Sequence, residues 1–96
     1  MTVETFLNSL QNEAPPASCN TYLQALWYDG TNHWDRAHQL IQDLPDASAA
    51  WIHAYLHRKE GDIGNADYWY RRAGKKRPAF SLAIEFEELV AAMLER

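Results

Sequence analysis

The sequence predicts an all-α protein of about six short helices that pair as antiparallel hairpins. Apolar residues recur every three or four positions in each of six segments, which is the period of an amphipathic helix. A glycine, a proline or a capping residue separates each segment from the next. No segment shows the sustained alternation of apolar and polar residues that is typical of a strand. The 96 residues allow one small domain and leave no room for a second.

Three helices are predicted in the first half of the chain. The first carries an apolar stripe over residues 3–10 and ends before two consecutive prolines, which cannot supply amide donors to a helix interior. Ser18 caps the second helix, which ends at Gly30. Asn32 caps the third helix, and Pro45 ends it. The connections are short, so we expect neighbouring helices to lie side by side.

Three more helices are predicted in the second half. Asp46 caps the fourth helix, which ends at Gly61. Asp62 caps the fifth, which ends at Gly74. The sixth covers about residues 81–96. Its apolar stripe lies opposite an acidic face formed by Glu85, Glu87, Glu88 and Glu95.

An internal repeat links the two helical pairs. Residues 18–44 and 46–74 share a pattern of small and large residues when Ala37 is aligned with Ala66. A small residue lets two antiparallel helices approach closely, and large apolar residues one turn away fill the groove beside it. Two repeats alone would leave apolar faces exposed, so we expect helices one and six to cover the ends of the domain.

The second repeat carries the more specific pattern. The turn glycine Gly61, the small residues Ala66 and Ala73 and the terminal proline Pro78 resemble the second helix of a tetratricopeptide repeat. The resemblance implies a short array of two stacked helical hairpins. Residues 53–74 are also similar to a family of small uncharacterised bacterial proteins, and this likeness implies no activity.

One face of the fourth helix combines aromatic and basic side chains. Trp51, Tyr55 and Arg58 recur at positions i, i+4 and i+7. Tyr22 and Leu26 fall on the corresponding face of the second helix, and the tetratricopeptide resemblance implies that this face lines a concave groove. Aromatic side chains there can anchor a partner, with core packing as the alternative. The sequence therefore favours a small scaffold or adaptor module that binds a protein or peptide segment without catalysis.

The same helix offers an alternative function, that of a small metal-binding protein or enzyme. His53 and His57 lie one helical turn apart, a spacing that can place two imidazoles on one metal ion, and Glu60 falls on the same side. Ala54 follows His53, so the internal glutamate of the zinc-protease motif is missing. The sequence fixes no third ligand. It favours two half-buried histidines that hydrogen-bond to neighbouring groups over a metal site.

Composition and charge argue against several other classes. The formal net charge of -4 argues against nucleic acid as a partner, and the basic residues between Arg71 and Arg77 are interpreted as a solvated helix end. Cys19 is the single cysteine and cannot form an internal disulfide. No nucleophilic motif or glycine-rich phosphate loop is present, so no cofactor is expected. No membrane span or secretion signal is found, which predicts a cytoplasmic protein and leaves self-association open.

Overall fold

Six helices and no strand form the protein in a computed structural model that describes all 96 residues. The helices are α1 (Val3–Ser9), α2 (Thr21–Gly30), α3 (Trp34–Ile41), α4 (Ala47–Lys59), α5 (Ile63–Arg72) and α6 (Leu82–Leu94). Adjacent helices pack in pairs, α2 with α3 and α4 with α5. The predicted all-α class, the number of helices and their pairing are confirmed. None of the helices is long and apolar enough to cross a membrane.

Helices α4 and α5 begin and end close to where the sequence indicates. The side chains of Asp46 and Asp62 accept hydrogen bonds from amides in the first turns of α4 and α5. Gly61 and Gly74 follow the two helices with φ angles of 87° and 73°. This is the left-handed conformation that glycine adopts without steric cost, and it turns the chain sharply after each helix.

Two predicted helix caps are wrong. Asn20 begins α2 in place of Ser18, because the Asn20 side chain accepts a hydrogen bond from an amide in the first turn of the helix. Asn32 has a φ angle of 67° and lies in the turn after α2. His33 therefore stands at the start of α3 and provides no side-chain cap. Both errors move a boundary by one or two residues and leave the helix pairs unchanged.

Helix α4 lies at the centre of the fold, where it packs against α2, α3, α5 and α6. Helices α3 and α5 both pack on α4 and not on each other, so they border a groove whose floor is α4. Helix α6 packs on α1, α2 and α4, and it meets α5 through a side-chain contact between Tyr70 and Glu85. One face of α4 thus lies between α3 and α5, and another lies under α6.

Small residues stand at the helix contacts, as the repeat pattern predicts. Ala25, Ala37, Ala54 and Ala66 are fully buried. Their short side chains allow the paired backbones to approach closely. Around them lie larger apolar side chains, among which α6 contributes Phe86, Leu89, Val90 and Met93.

Candidate functional site

Two of the five residues predicted to line a concave groove, Leu26 and Tyr55, are buried. Leu26 is fully buried, and Tyr55 is only 3% exposed. The ring of Tyr55 packs against the ring of Phe86 on α6, with 6.1 Å between their centroids. Neither Leu26 nor Tyr55 presents a surface to a partner while α6 is in this position.

Glu85 of α6 holds the same face of α4 through hydrogen bonds. Its carboxylate is 1% exposed and accepts hydrogen bonds from the Trp51 indole N–H at 3.1 Å, the Arg58 guanidinium at 2.9 Å and the Tyr70 hydroxyl at 2.7 Å. We call these four residues the Glu85 network. Burial and the Glu85 carboxylate raise the pKa of Tyr70, so its hydroxyl stays a hydrogen-bond donor. Arg58 is thus paired with a buried carboxylate.

Tyr22 lies apart from the Glu85 network. The guanidinium of Arg96 lies over the Tyr22 ring at 4.2 Å from its centroid and donates a hydrogen bond to the Tyr22 hydroxyl at 3.1 Å. Tyr22 therefore packs against the end of the chain. The five residues expected to line one groove do not share an open surface.

Three histidines meet where α3 packs on α4. The Nε2 atoms of His38 on α3 and His53 on α4 are hydrogen-bonded at 3.0 Å. His57 follows one turn after His53, and the centroids of these two rings are 4.8 Å apart. One ligand nitrogen from each of the three residues lies within 4.8 Å of the other two. We call His38, His53 and His57 the three-histidine cluster.

Glu60 orients one member of this cluster. Its carboxylate oxygen lies 2.6 Å from Nδ1 of His57 and accepts a hydrogen bond from that nitrogen. The bond places a proton on Nδ1, so Nε2 is the nitrogen of His57 available to a ligand. The side-chain amide nitrogen of Asn65 lies 3.4 Å from this Nε2. Glu60 is therefore a hydrogen-bond partner of the cluster and not one of its three members.

Two tryptophans stand beside the three-histidine cluster. The ring of Trp34 on α3 stacks on His38 with 4.9 Å between centroids, and the ring of Trp69 on α5 stacks on His53 at 3.9 Å. His53 and His57 are buried, whereas His38 and both tryptophans are only partly buried. The cluster therefore lies where α3 and α5 flank α4, and His38 is its most exposed member.

Burial keeps two of the histidines neutral near pH 7. Burial, reinforced by the charges of His38 and His57, lowers the pKa of His53 from 6.5 to about 4. Burial, followed by the charge of His57, also lowers the pKa of His38. A neutral imidazole has a free lone pair on one nitrogen, and this is the form that binds a metal ion.

The pKa of His53 predicts that the metal-free protein loses stability as the pH falls from about 6.5 to about 4. Between these values the unfolded chain binds a proton at this residue and the folded protein does not, so acid favours the unfolded state. The expected loss from His53 is on the order of 2 kcal/mol. Urea unfolding in EDTA at several pH values measures the free energy of unfolding. This free energy should fall less with acid in His53→Gln than in the wild-type protein. Equal losses in the two proteins would contradict the prediction.

His38 is the member of the cluster that sequence reasoning missed. It follows Trp34 by four positions and precedes Ile41 by three, so it falls on the stripe of the third helix that points inward. That periodicity was a usable signal for burial. The meeting of His38 with His53 depends on how α3 crosses α4, which one sequence does not reveal.

Similarity to known proteins does not identify the chain. No protein-family model, curated protein or solved structure matches it. Neither the tetratricopeptide resemblance nor the likeness to small bacterial proteins gains support from a match, and no family is assigned.

Proposed function

We propose that the protein binds one divalent transition-metal ion, such as Zn²⁺, at the three-histidine cluster. The observation that carries the proposal is the set of three imidazole nitrogens within 4.8 Å of one another. Imidazole nitrogen is a common ligand of zinc, copper and nickel in proteins. Metal binding by His53, His57 and Glu60 was the alternative function that the sequence offered, although the sequence favoured two hydrogen-bonded histidines over a metal site. The geometry supports it better than the groove function, with His38 as third ligand in place of Glu60.

Side-chain movements would bring one nitrogen of each ring onto one ion, and Nε2 of His57 would exchange its hydrogen bond with Asn65 for the ion. Nitrogens bound to a tetrahedral zinc ion lie about 3.3 Å apart, because each Zn–N bond is about 2.0 Å long. The Nε2 atoms of His38 and His53 already lie 3.0 Å apart. A bound ion replaces the hydrogen bond between them, and the ring that donates this bond moves its proton from Nε2 to Nδ1. Both rings stay neutral throughout.

Glu60 supports this function from outside the ligand set. A histidine that binds zinc usually donates its other ring N–H to a carboxylate or carbonyl, which fixes the ring and strengthens the ligand. His57 already donates its Nδ1–H to Glu60. Three histidines leave the fourth position of a tetrahedral ion to water, as in catalytic zinc sites and unlike closed structural sites.

Zinc titration of untagged, metal-free protein tests the proposal. We expect one equivalent of Zn²⁺ to bind in calorimetry, and one equivalent of Co²⁺ to give the visible absorption of tetrahedral cobalt. Replacement of His38 or His53 by glutamine should weaken zinc binding by more than about 100-fold. The loss of a metal ligand costs more zinc affinity than the loss of a residue, such as Glu60, that hydrogen-bonds to a ligand. Glu60→Gln should weaken it by about 10–100-fold.

His33 supplies the matched control, because it is an exposed histidine outside the cluster. His33→Gln should leave the zinc affinity unchanged. The proposal fails if the wild-type protein binds no stoichiometric metal, or if His33→Gln loses as much affinity as His53→Gln. Circular dichroism of each variant distinguishes a lost ligand from a lost fold.

We also propose that α2–α5 form two tetratricopeptide-like hairpins. The packing of α2 with α3 and of α4 with α5, with fully buried alanines at the contacts, supports this finer description of the fold. Helix α6 departs from a regular array, because it contacts α1 and α2 as well as α4, whereas a solenoid unit contacts only its neighbours. The adaptor function remains a second hypothesis. Trp51 and Arg58 are partly exposed, whereas a protein segment that contacts the ring of Tyr55 would first have to displace α6.

A further inference from the structure

Charge is distributed unevenly along the chain. Residues 64–80 contain five basic residues and one acidic residue, whereas the rest of the chain contains four basic and twelve acidic residues. The five basic side chains all lie between Arg71 and Arg77, and all are exposed. A strongly positive segment therefore lies on the surface of an otherwise acidic protein.

Most of these basic side chains have no acidic partner within the protein. Arg77 pairs with Asp67, with 2.8 Å between its Nε and a carboxylate oxygen. The other four form no salt bridge. The ammonium of Lys75 lies over the ring of Trp51 at 4.1 Å from its centroid, a contact that does not neutralise its charge. These charges are therefore available to an anion.

The dipole of α5 accounts for only part of this positive charge. Arg71 and Arg72 stand in the last turn of α5, where a cation interacts favourably with the negative end of the helix dipole. That end is equivalent to about half a negative charge. A solvated helix end therefore leaves most of the five positive charges uncompensated, and like charges this close in the chain repel one another. A bound anion would relieve this repulsion.

The positive segment borders a surface hollow of about 290 Å³, which we call the basic hollow. The residues that line it are Asp67, Tyr70, Arg71, Lys75, Lys76 and Arg77. Four basic side chains and one acidic side chain leave three positive charges around it. Sites for whole small molecules usually have volumes of about 300–1,000 Å³, so the basic hollow is of a size for the charged group of a ligand.

We propose that the basic hollow binds a di- or triphosphate group, either free or carried by a nucleotide. Two linked phosphates carry about three negative charges, which matches the charge of the hollow, whereas a single phosphate carries about 1.5–2. Arginine binds two phosphate oxygens through parallel N–H donors, and lysine adds a compact positive charge. Arg77 contacts Asp67 through Nε, which leaves its two terminal nitrogens for the phosphate. This proposal is independent of the metal site.

Titrations with pyrophosphate, orthophosphate and ADP test this assignment at an ionic strength of about 10 mM, where charges are weakly screened. The protein is free of metal and of chelator, because phosphates also bind zinc and EDTA is itself an anion. The chemical shifts of the backbone amides of Arg71 and Lys76 report binding. We expect saturable binding of pyrophosphate at least about tenfold tighter than that of orthophosphate. Equal affinity for these two ions overturns the proposal, as does the absence of saturable binding by both pyrophosphate and ADP.

ADP distinguishes the two sources of the group. Tighter binding of ADP than of pyrophosphate assigns the group to a nucleotide, and equal or weaker binding of ADP assigns it to a free diphosphate. Single-stranded nucleic acid is the competing polyanion, because the exposed ring of Tyr68 lies on the same helix as Arg71. The net charge of -4 disfavours a long polyanion, which extends beyond the hollow. Tighter binding of oligothymidylate than of pyrophosphate, at equal concentrations of phosphate groups, overturns the proposal.

Three variants and one control locate the binding. Arg71→Gln and Lys76→Gln should each weaken pyrophosphate binding by about 3–10-fold. Asp67→Asn removes the acidic side chain of the hollow and should tighten binding by a similar factor. Arg36→Gln removes an exposed positive charge outside the hollow and should leave the affinity unchanged. A loss in Arg36→Gln equal to that in Lys76→Gln, or weaker binding by Asp67→Asn, overturns the assignment.

Discussion

Replacing Glu85 with alanine is expected to lower the free energy of unfolding by about 3–5 kcal/mol. The change leaves the Arg58 guanidinium, whose side chain is 15% exposed, without its carboxylate partner. It also removes the acceptor of the Tyr70 hydroxyl and the Trp51 indole N–H. A buried charge without a partner is strongly destabilising. Small domains usually have about 5–15 kcal/mol of stability in total, so a large share would be lost.

Urea unfolding followed by far-ultraviolet circular dichroism measures this effect. Glu88→Ala is the matched control, because Glu88 is an exposed glutamate on the same helix. It should change the stability by less than about 0.5 kcal/mol. Glu85→Gln keeps the shape of the side chain and should show an intermediate loss. If Glu85→Ala and Glu88→Ala unfold at the same urea concentration, the Glu85 network does not stabilise the fold.

Replacing Tyr55 with alanine is expected to destabilise the protein by about 3–5 kcal/mol, the usual cost of truncating a large buried aromatic side chain. The ring is almost fully buried between α4 and α6, so its removal leaves a cavity. Ala66→Leu, which overpacks the contact between α4 and α5, should have a smaller effect of about 1–3 kcal/mol.

Thermal and urea unfolding of the two variants decide whether Tyr55 acts as core or as an open binding surface. An open groove would let Tyr55→Ala melt near the wild-type temperature. Burial under α6 predicts a lower melting temperature for Tyr55→Ala than for Ala66→Leu. Tyr68→Ala is the control for loss of an aromatic side chain on the surface, because Tyr68 is exposed, and it should change the melting temperature little.

The helix pattern was predictable because it depends on local chemistry. Gly61 and Gly74 supply the left-handed turns that end α4 and α5, and Asp46 and Asp62 cap the same two helices. Such signals act within a few residues and can be read from one sequence. The caps of α2 and α3 were misplaced because several residues that could form a cap follow one another before each helix.

The burial of Glu85 is a second difference from the sequence-based expectation. Glu85 was expected on a polar face with three other glutamates, although it follows Leu82 by three positions and precedes Leu89 by four and so borders the apolar stripe. The structure buries it, because donors from α4 and α5 converge on its carboxylate. The three-histidine cluster was also predictable only in part. The pair His53 and His57 follows from spacing along one helix, and the third member His38 depends on the contact between two helices.

The place of α6 also bears on how the domain folds. Hydrogen bonds join Asn20 to the carbonyl of Met93 and Arg96 to the hydroxyl of Tyr22, across sequence separations of 73 and 74 residues. A linear repeat array relies on contacts between neighbours and can fold one unit at a time. Here the last helix completes the packing of the second and the fourth. We therefore expect the six helices to unfold as one cooperative unit, without a stable intermediate in which α2 and α4 are folded and α6 is not.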